Sequence, residues 1–173
     1  MKQIKFNNDM VMEIVTGRKN QTRRMIKEWN FITKNEFRSH IWDVQGNFDK
    51  DLKCKDINGL PISFIKGTPF SAQIQYKNLI KGCRYGKVGD LIQLLNEDNV
   101  NFGQAEIIYI NVTRLNDMQD NDFLAEGYPM SRQKDGGCMD PFLWFRTYWD
   151  SIYQNWENNP YVWVIHFKLV NFG

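Results

Sequence analysis

Apolar residues recur at Met10, Val11, Ile14 and Val15, the spacing of one helix face, with Asn8 or Asp9 placed to cap the segment and Gly17 placed to end it. A short amphipathic helix is predicted from Asn8 to Thr16. The pattern then changes abruptly, because Arg18-Lys19-Asn20-Gln21-Thr22-Arg23-Arg24 contains no apolar residue. With no hydrophobic face to bury, this stretch is not expected to be a core strand and should line a surface or a cleft. From about Trp29 to Lys81 short alternating pieces such as Ala72-Gln73-Ile74-Gln75-Tyr76 lie between turn-rich stretches, Asn58-Gly59 and Lys66-Gly67-Thr68-Pro69 among them. Hairpins and loops inserted into the main domain account for that irregularity. The turn Tyr85-Gly86-Lys87-Val88-Gly89-Asp90 feeds a strand at Leu91-Ile92-Gln93-Leu94-Leu95, and Ala105 to Leu115 is a second strand rich in Ile, Tyr and Val. These two are predicted to pair in one sheet.

Asp117 to Glu126 reads as a helix ended by Gly127, followed by a loop through Ser131 to Gly137 with no periodicity. Asp140 and Pro141 cap and start a further helix, on which Phe145, Trp149 and Ile152 recur at core spacing while Trp144, Tyr148 and Tyr153 widen the apolar face. The last element is a strand from Tyr161 to Val170. Strands outnumber helices and no repeat is present, so the expected fold is α+β: a small mixed β-barrel flanked by short helices.

At 173 residues the chain fits one domain, here with an insertion at about residues 29–81. Its 42% hydrophobic and 24% charged content belongs to a folded protein rather than a disordered one. No apolar run is long enough to span a membrane, and the start lacks the apolar stretch of a signal peptide, so a cytoplasmic location is expected. Cys54, Cys83 and Cys138 are far apart and odd in number, and only His40 and His166 could join them as metal ligands. Reduced thiols, no metal and no cofactor are expected. The formal net charge is +2, but Arg18, Lys19, Arg23, Arg24 and Lys27 lie together without an acid between them; removing those five from 22 basic residues leaves 17 against 20 acidic. The positive potential is therefore local, which argues against a general polyanion-binding surface.

The order of motifs resembles the ASCH family of PUA-like proteins, whose mark is a G-x-K-x-x-T segment after the first helix. Gly17, Lys19 and Thr22 match it. The longer phage and prophage members resemble this chain further. They read Gly-Arg-Lys-Thr-Gln-Thr-Arg-Arg at that segment, so only Asn20 differs. They also carry a Tyr-Gly-x-x-Gly-Asp turn, matched by Tyr85, Gly86, Gly89 and Asp90, and an Ala-Glu-Gly step, matched by Ala125, Glu126 and Gly127. A closing block is matched by Trp149-Asp150-Ser151-Ile152, Trp156, Asn159-Pro160 and Val162-Trp163-Val164-Ile165. One departure stands out: where such members continue Leu-Trp-Val-Arg-Glu, this chain has Ile92-Gln93-Leu94-Leu95-Asn96. If the missing Arg and Glu serve ligand binding or catalysis in relatives, specificity is changed here or activity lost.

The resemblance implies RNA or a modified nucleoside as partner, in the host cytoplasm if the protein is phage-encoded. It also implies a candidate hydrolytic trio, Lys19, Thr22 and Glu126, of the kind that cleaves N-acetylated cytidine. Amide cleavage needs a nucleophile, a base and donors for the developing oxyanion. Lys19 could serve as base only with a lowered pKa, which neighbouring Arg18, Arg23 and Arg24 would favour. Against catalysis stands plain binding, in which Arg18, Gln21, Arg23, Arg24 and Lys27 hold phosphates without chemistry. Trp149 and Trp163 are expected in the core, leaving Trp156, in a polar loop, as the candidate for stacking on a base. A third reading is a protein that engages a host factor.

Overall fold

The computed structural model of the chain describes residues 1–26, 54–55, 61–62 and 83–172. In chain order the elements are β1 (Lys2–Lys5), α1 (Asn8–Val15), β2 (Gln21–Met25), β3 (Cys54–Lys55), β4 (Pro61–Ile62), β5 (Leu91–Leu95), β6 (Asn101–Arg114), α2 (Asp120–Ala125), α3 (Met130–Gln133), α4 (Asp140–Tyr153) and β7 (Tyr161–Phe172). A 3-10 turn, Trp156–Asn158, precedes β7. The chain divides into two compact units, Met1–Met25 with Tyr85–Gly173, and Ile26–Arg84. Within the second, β3 and β4 form an antiparallel pair with Cys54 opposite Ile62. Most of the expected insertion, together with Lys27 and Trp29, lies outside the described residues.

In the first unit one mixed sheet runs in the order β1-β5-β6-β7-β2, curled into a half-barrel. The fold is α+β, a curled sheet flanked by short helices, the class the sequence pattern leads one to expect. β1 lies parallel to β5, and the other pairings are antiparallel, β5 with β6 included. The inward side chains Ile92, Leu94, Ala105, Ile107, Ile165 and Phe167 are buried, and the Phe6 ring packs on Phe102 and Phe167. Each removes apolar surface from water, by far the largest favourable term in folding such a domain. Among the described residues no helix is long and apolar enough to cross a membrane.

Three expectations change. Asn7, not Asn8 or Asp9, caps α1, its side chain accepting the Met10 N–H. The polar stretch after Gly17 enters a strand after all: β2 closes one edge of the sheet, with Gln21 opposite His166 and Met25 opposite Val162. Its backbone is satisfied by β7, and its polar side chains tolerate burial because carboxylates meet them, which a reading based on hydrophobic faces cannot anticipate. Finally, the segment expected as a loop from Ser131 to Gly137 begins inside α3. It is tied to α4 by the Tyr128 hydroxyl, which donates to Asp140 Oδ2 at 2.5 Å, and by Arg132, which meets Asp140 Oδ1 at 2.6 Å.

Candidate functional site

Gly17 ends α1 with φ of +76°, and the chain turns through Arg18 to Asn20 into β2. That turn is fixed at both sides: the Lys19 N–H donates to Glu13 O at 2.8 Å, and the Asn20 N–H donates to Ala125 O at 3.1 Å. The second bond brings the C-terminal end of α2 against the edge strand. Glu126 caps α2 and points its carboxylate at the cluster. Gly127 follows with φ of +96°, and a Cβ there would meet Lys19 Cβ and Cδ at 3.3 Å and Met10 Sδ at 3.2 Å. A glycine is needed on both counts, since the backbone is left-handed and the lysine stem lies against it.

The side chains converge on Glu126. Lys19 Nζ donates to Glu126 Oε2 at 3.1 Å and to the Glu126 carbonyl at 2.6 Å. Arg23 Nη1 donates to Oε1 at 3.0 Å, and Gln21 Nε2 lies 3.4 Å from the same oxygen. Gln21 also donates to Asp122 Oδ1 at 3.1 Å, and Arg23 Nη2 lies 3.5 Å from Asp122 Oδ2. The Lys19, Arg23 and Glu126 side chains are each no more than 2% exposed. Burial pushes the Lys19 amine below its ordinary pKa, against the pull of Glu126. Burial works in the opposite sense on Glu126, yet Lys19 and Arg23 together hold its carboxyl below the usual range. The asymmetry follows from stoichiometry, since one anion is shared by two cations and Lys19 receives only part of its compensation.

The structure thus brings Lys19 and Glu126 into contact. Thr22 is buried beside them on β2, but strand alternation turns it to the face opposite Gln21 and Arg23. Among the described residues no hydrogen bond joins its hydroxyl to Lys19 or Glu126, and the lysine donates to the glutamate instead. Arg18 is engaged elsewhere, its Nε donating to Glu13 Oε2 at 2.7 Å. Arg24 lies over the Phe6 ring at 5.0 Å and donates to the Lys5 carbonyl at 2.6 Å, with no carboxylate partner among the described residues. At the site, the buried nitrogens Arg23 Nε, Arg24 Nε and Trp163 Nε1 have no partner among the described residues. Arg24 and Trp163 stand opposite each other across β2 and β7.

Trp156 is not an open stacking platform. It is 4% exposed, with Phe142 at 5.5 Å and Phe145 at 6.1 Å from its ring. The turn that carries it folds back on α4, the Trp156 N–H donating to Asp150 Oδ1 at 2.8 Å. Trp149 and Trp163 are core residues, as expected. Sequence reasoning missed three groups around the cluster. Asp122 precedes Glu126 by one helical turn, the spacing that shares a face. His166 stands opposite Gln21 on β7, and burial pushes its imidazole below the ordinary value despite Asp122 and Glu126. The Tyr148 hydroxyl, on α4, is pushed up to about 12, first by burial, while the charges of Arg24, Glu126 and Asp9 all act on it.

No protein-family model and no curated protein matches the chain in sequence. Among solved structures, a protein from Enterococcus faecalis described by the family model DUF984 aligns over 100% of this chain and 82% of its own, at 10% identity and a TM-score of 0.49. An ASCH domain from Lactobacillus crispatus aligns over 96% of this chain and 72% of its own, at 14% identity and a TM-score of 0.48.

Proposed function

We propose that the protein binds RNA or a nucleoside at the site built by Lys19, Gln21, Thr22, Arg23, Arg24 and Glu126. The observation that carries this reading is a surplus of buried donors. Among the described residues Arg23 Nε, Arg24 Nε and Trp163 Nε1 have no acceptor, and Arg24 pairs with no carboxylate. A buried donor left unmade costs about 1–3 kcal/mol, so a ligand bringing acceptors gains what the free protein forgoes. Nucleobase carbonyls and phosphate oxygens are such acceptors. The resemblance to ASCH proteins points to the same ligand class, and to a phage or prophage setting in the host cytoplasm. Because Arg18, Lys19 and Arg23 already face carboxylates, the segment is suited to a compact polar group more than to a long run of phosphates.

Titration calorimetry with free cytidine, N-acetylated cytidine and a short single-stranded RNA tests the reading. Arg24→Ala should abolish binding, and Arg18→Ala should leave it nearly unchanged. Absence of binding at low salt, or an Arg24→Ala variant that binds as the wild type does, would overturn it.

One observation favours hydrolysis as a second reading: burial lowers the Lys19 pKa, as a general base requires. In that reading Thr22 is the nucleophile, and a bound ligand draws Lys19 from Glu126 towards its hydroxyl. Lys19→Arg should then release no cytidine from the N-acetylated substrate, because a guanidinium cannot give up its proton near neutral pH. Release at the wild-type rate would remove Lys19 from the chemistry.

A further inference from the structure

Three neighbouring strands place Tyr109, His166 and Gln21 in one row, since Tyr109 is opposite His166 across β6 and β7, and His166 is opposite Gln21 across β7 and β2. Directly opposite residues project from the same face of a sheet. The bulge between Ile107 and Tyr109 separates the row from the inward Ile107 and Phe167, and the row runs from exposed Tyr109 through half-buried His166 to buried Gln21. Tyr109 is 49% exposed, and its ring meets His166 edge to face, with centroids 5.2 Å apart and planes at 84°. An edge-to-face pair occupies one face of one ring only, so aromatic surface remains open to a further stacking partner. At the other end of the row Gln21 bonds Asp122 and approaches Glu126, which joins this face to the buried cluster.

We infer that Tyr109 and His166 form a stacking platform for a second base of a single-stranded RNA whose first nucleotide meets the site proposed above from its Gln21 and Arg23 side. The inference rests on the reading proposed above and adds a substrate class to it, a strand rather than a lone nucleoside. Aromatic side chains exposed on a sheet face take up unstacked bases in this way and tolerate any base, because each has a π-face. Burial keeps the imidazole neutral near pH 7, so the platform offers an uncharged ring and one ring nitrogen to hydrogen-bond a base edge. Lys168, two residues along β7 on the same face, is placed for the connecting phosphate, although Glu106 stands opposite it.

The test compares a fluorescein-labelled eight-nucleotide oligouridylate, read by anisotropy, with free cytidine, read by calorimetry. Tyr109→Ala should weaken oligonucleotide binding by about five- to 150-fold, the range for loss of one stacked base, and should leave cytidine binding unchanged. Tyr109→Phe should bind both as the wild type does, and circular dichroism checks that each variant is folded. Oligonucleotide binding unaffected by Tyr109→Ala overturns the platform while leaving the nucleoside site standing. Equal weakening of both ligands by Tyr109→Ala, or loss on Tyr109→Phe, also overturns it. If the wild-type protein binds neither probe, both readings fall.

Discussion

Replacing Glu126 by Gln keeps the shape of the buried cluster and removes its shared anion. In the wild type that carboxylate faces Lys19 Nζ at 3.1 Å and Arg23 Nη1 at 3.0 Å, all three side chains being out of water. Breaking a buried pair leaves an uncompensated charge and costs about 3–5 kcal/mol. In a protein of this size each kcal/mol shifts Tm by about 2–4 °C, so Glu126→Gln should melt roughly 6–20 °C lower. Lys19→Met should cost less, because Glu126 still holds Arg23, and the double variant should be more stable than the two single losses added together. The pH dependence follows with a definite sign. Lys19 binds its proton less tightly folded than unfolded, so the unfolded state carries more protons between the two pKa values and stability rises with pH there. Without Glu126 the lysine pKa falls further, and Glu126→Gln should regain stability as pH rises towards the ordinary lysine pKa. For the wild type, a depressed Glu126 pKa gives stability that is present above the ordinary carboxylate pKa and lost as pH falls from there through the lower folded value. Urea and thermal unfolding followed by circular dichroism measure all of this. A Glu126→Gln protein within about 0.5 kcal/mol of wild type would refute the buried network as described.

Gly127→Ala should destabilise the fold by about 1–3 kcal/mol in the same assay, from left-handed backbone strain and the close approach to the lysine stem. The His166 imidazole should titrate below the ordinary histidine value when followed by NMR, and at or above that value its burial beside Arg23 would be disproved. Binding of single-stranded RNA should show a log-log salt slope near −0.7 to −1.4, the value for about one or two phosphate contacts, rather than the roughly −2.8 that four free cations would give. A slope as steep as the larger value would mean that Arg18, Lys19 and Arg23 leave their carboxylates on binding.

Those elements that bury one apolar face were legible in the chain: α1, β5, β6, α4 and β7 each carry their period in the sequence, and each is present within a few residues of the expected bounds. β2 was not. Its burial depends on Asp122 and Glu126, about a hundred residues later in the chain, and no local pattern announces a partner at that distance. The same gap explains Trp156, whose polar neighbours Asn155 and Glu157 suggest a loop although the turn packs its ring on Phe142 and Phe145. Of the site, the motif resemblance singled out Lys19 and Glu126. The spacing from Glu126 back to Asp122 held a usable helical signal, whereas His166 lay inside an apolar strand whose facing strand had not been recognised.

The departure at Leu95 and Asn96 acquires a local meaning from the turn between β5 and β6. Asn96 Oδ1 accepts the N–H groups of Asp98 at 3.0 Å and Val100 at 2.9 Å, closing a turn in which Asn99 has φ of +62°. A short amide or carboxylate side chain suits that double acceptance, and the extra methylene of a glutamate would move its oxygens out of reach. Leu95 stands opposite Lys5 in the β1–β5 pair, and the Lys5 carbonyl is the acceptor for Arg24. An arginine at position 95 would therefore bring a second cation towards Arg24, which pairs with no carboxylate among the described residues. With leucine there, Arg24 faces an apolar neighbourhood that includes Phe6, where a charge interacts more strongly with whatever acceptor a ligand supplies. The two changes together exchange a charged pair for a well-closed turn and an apolar surround at Arg24, which the ligand site proposed above would use.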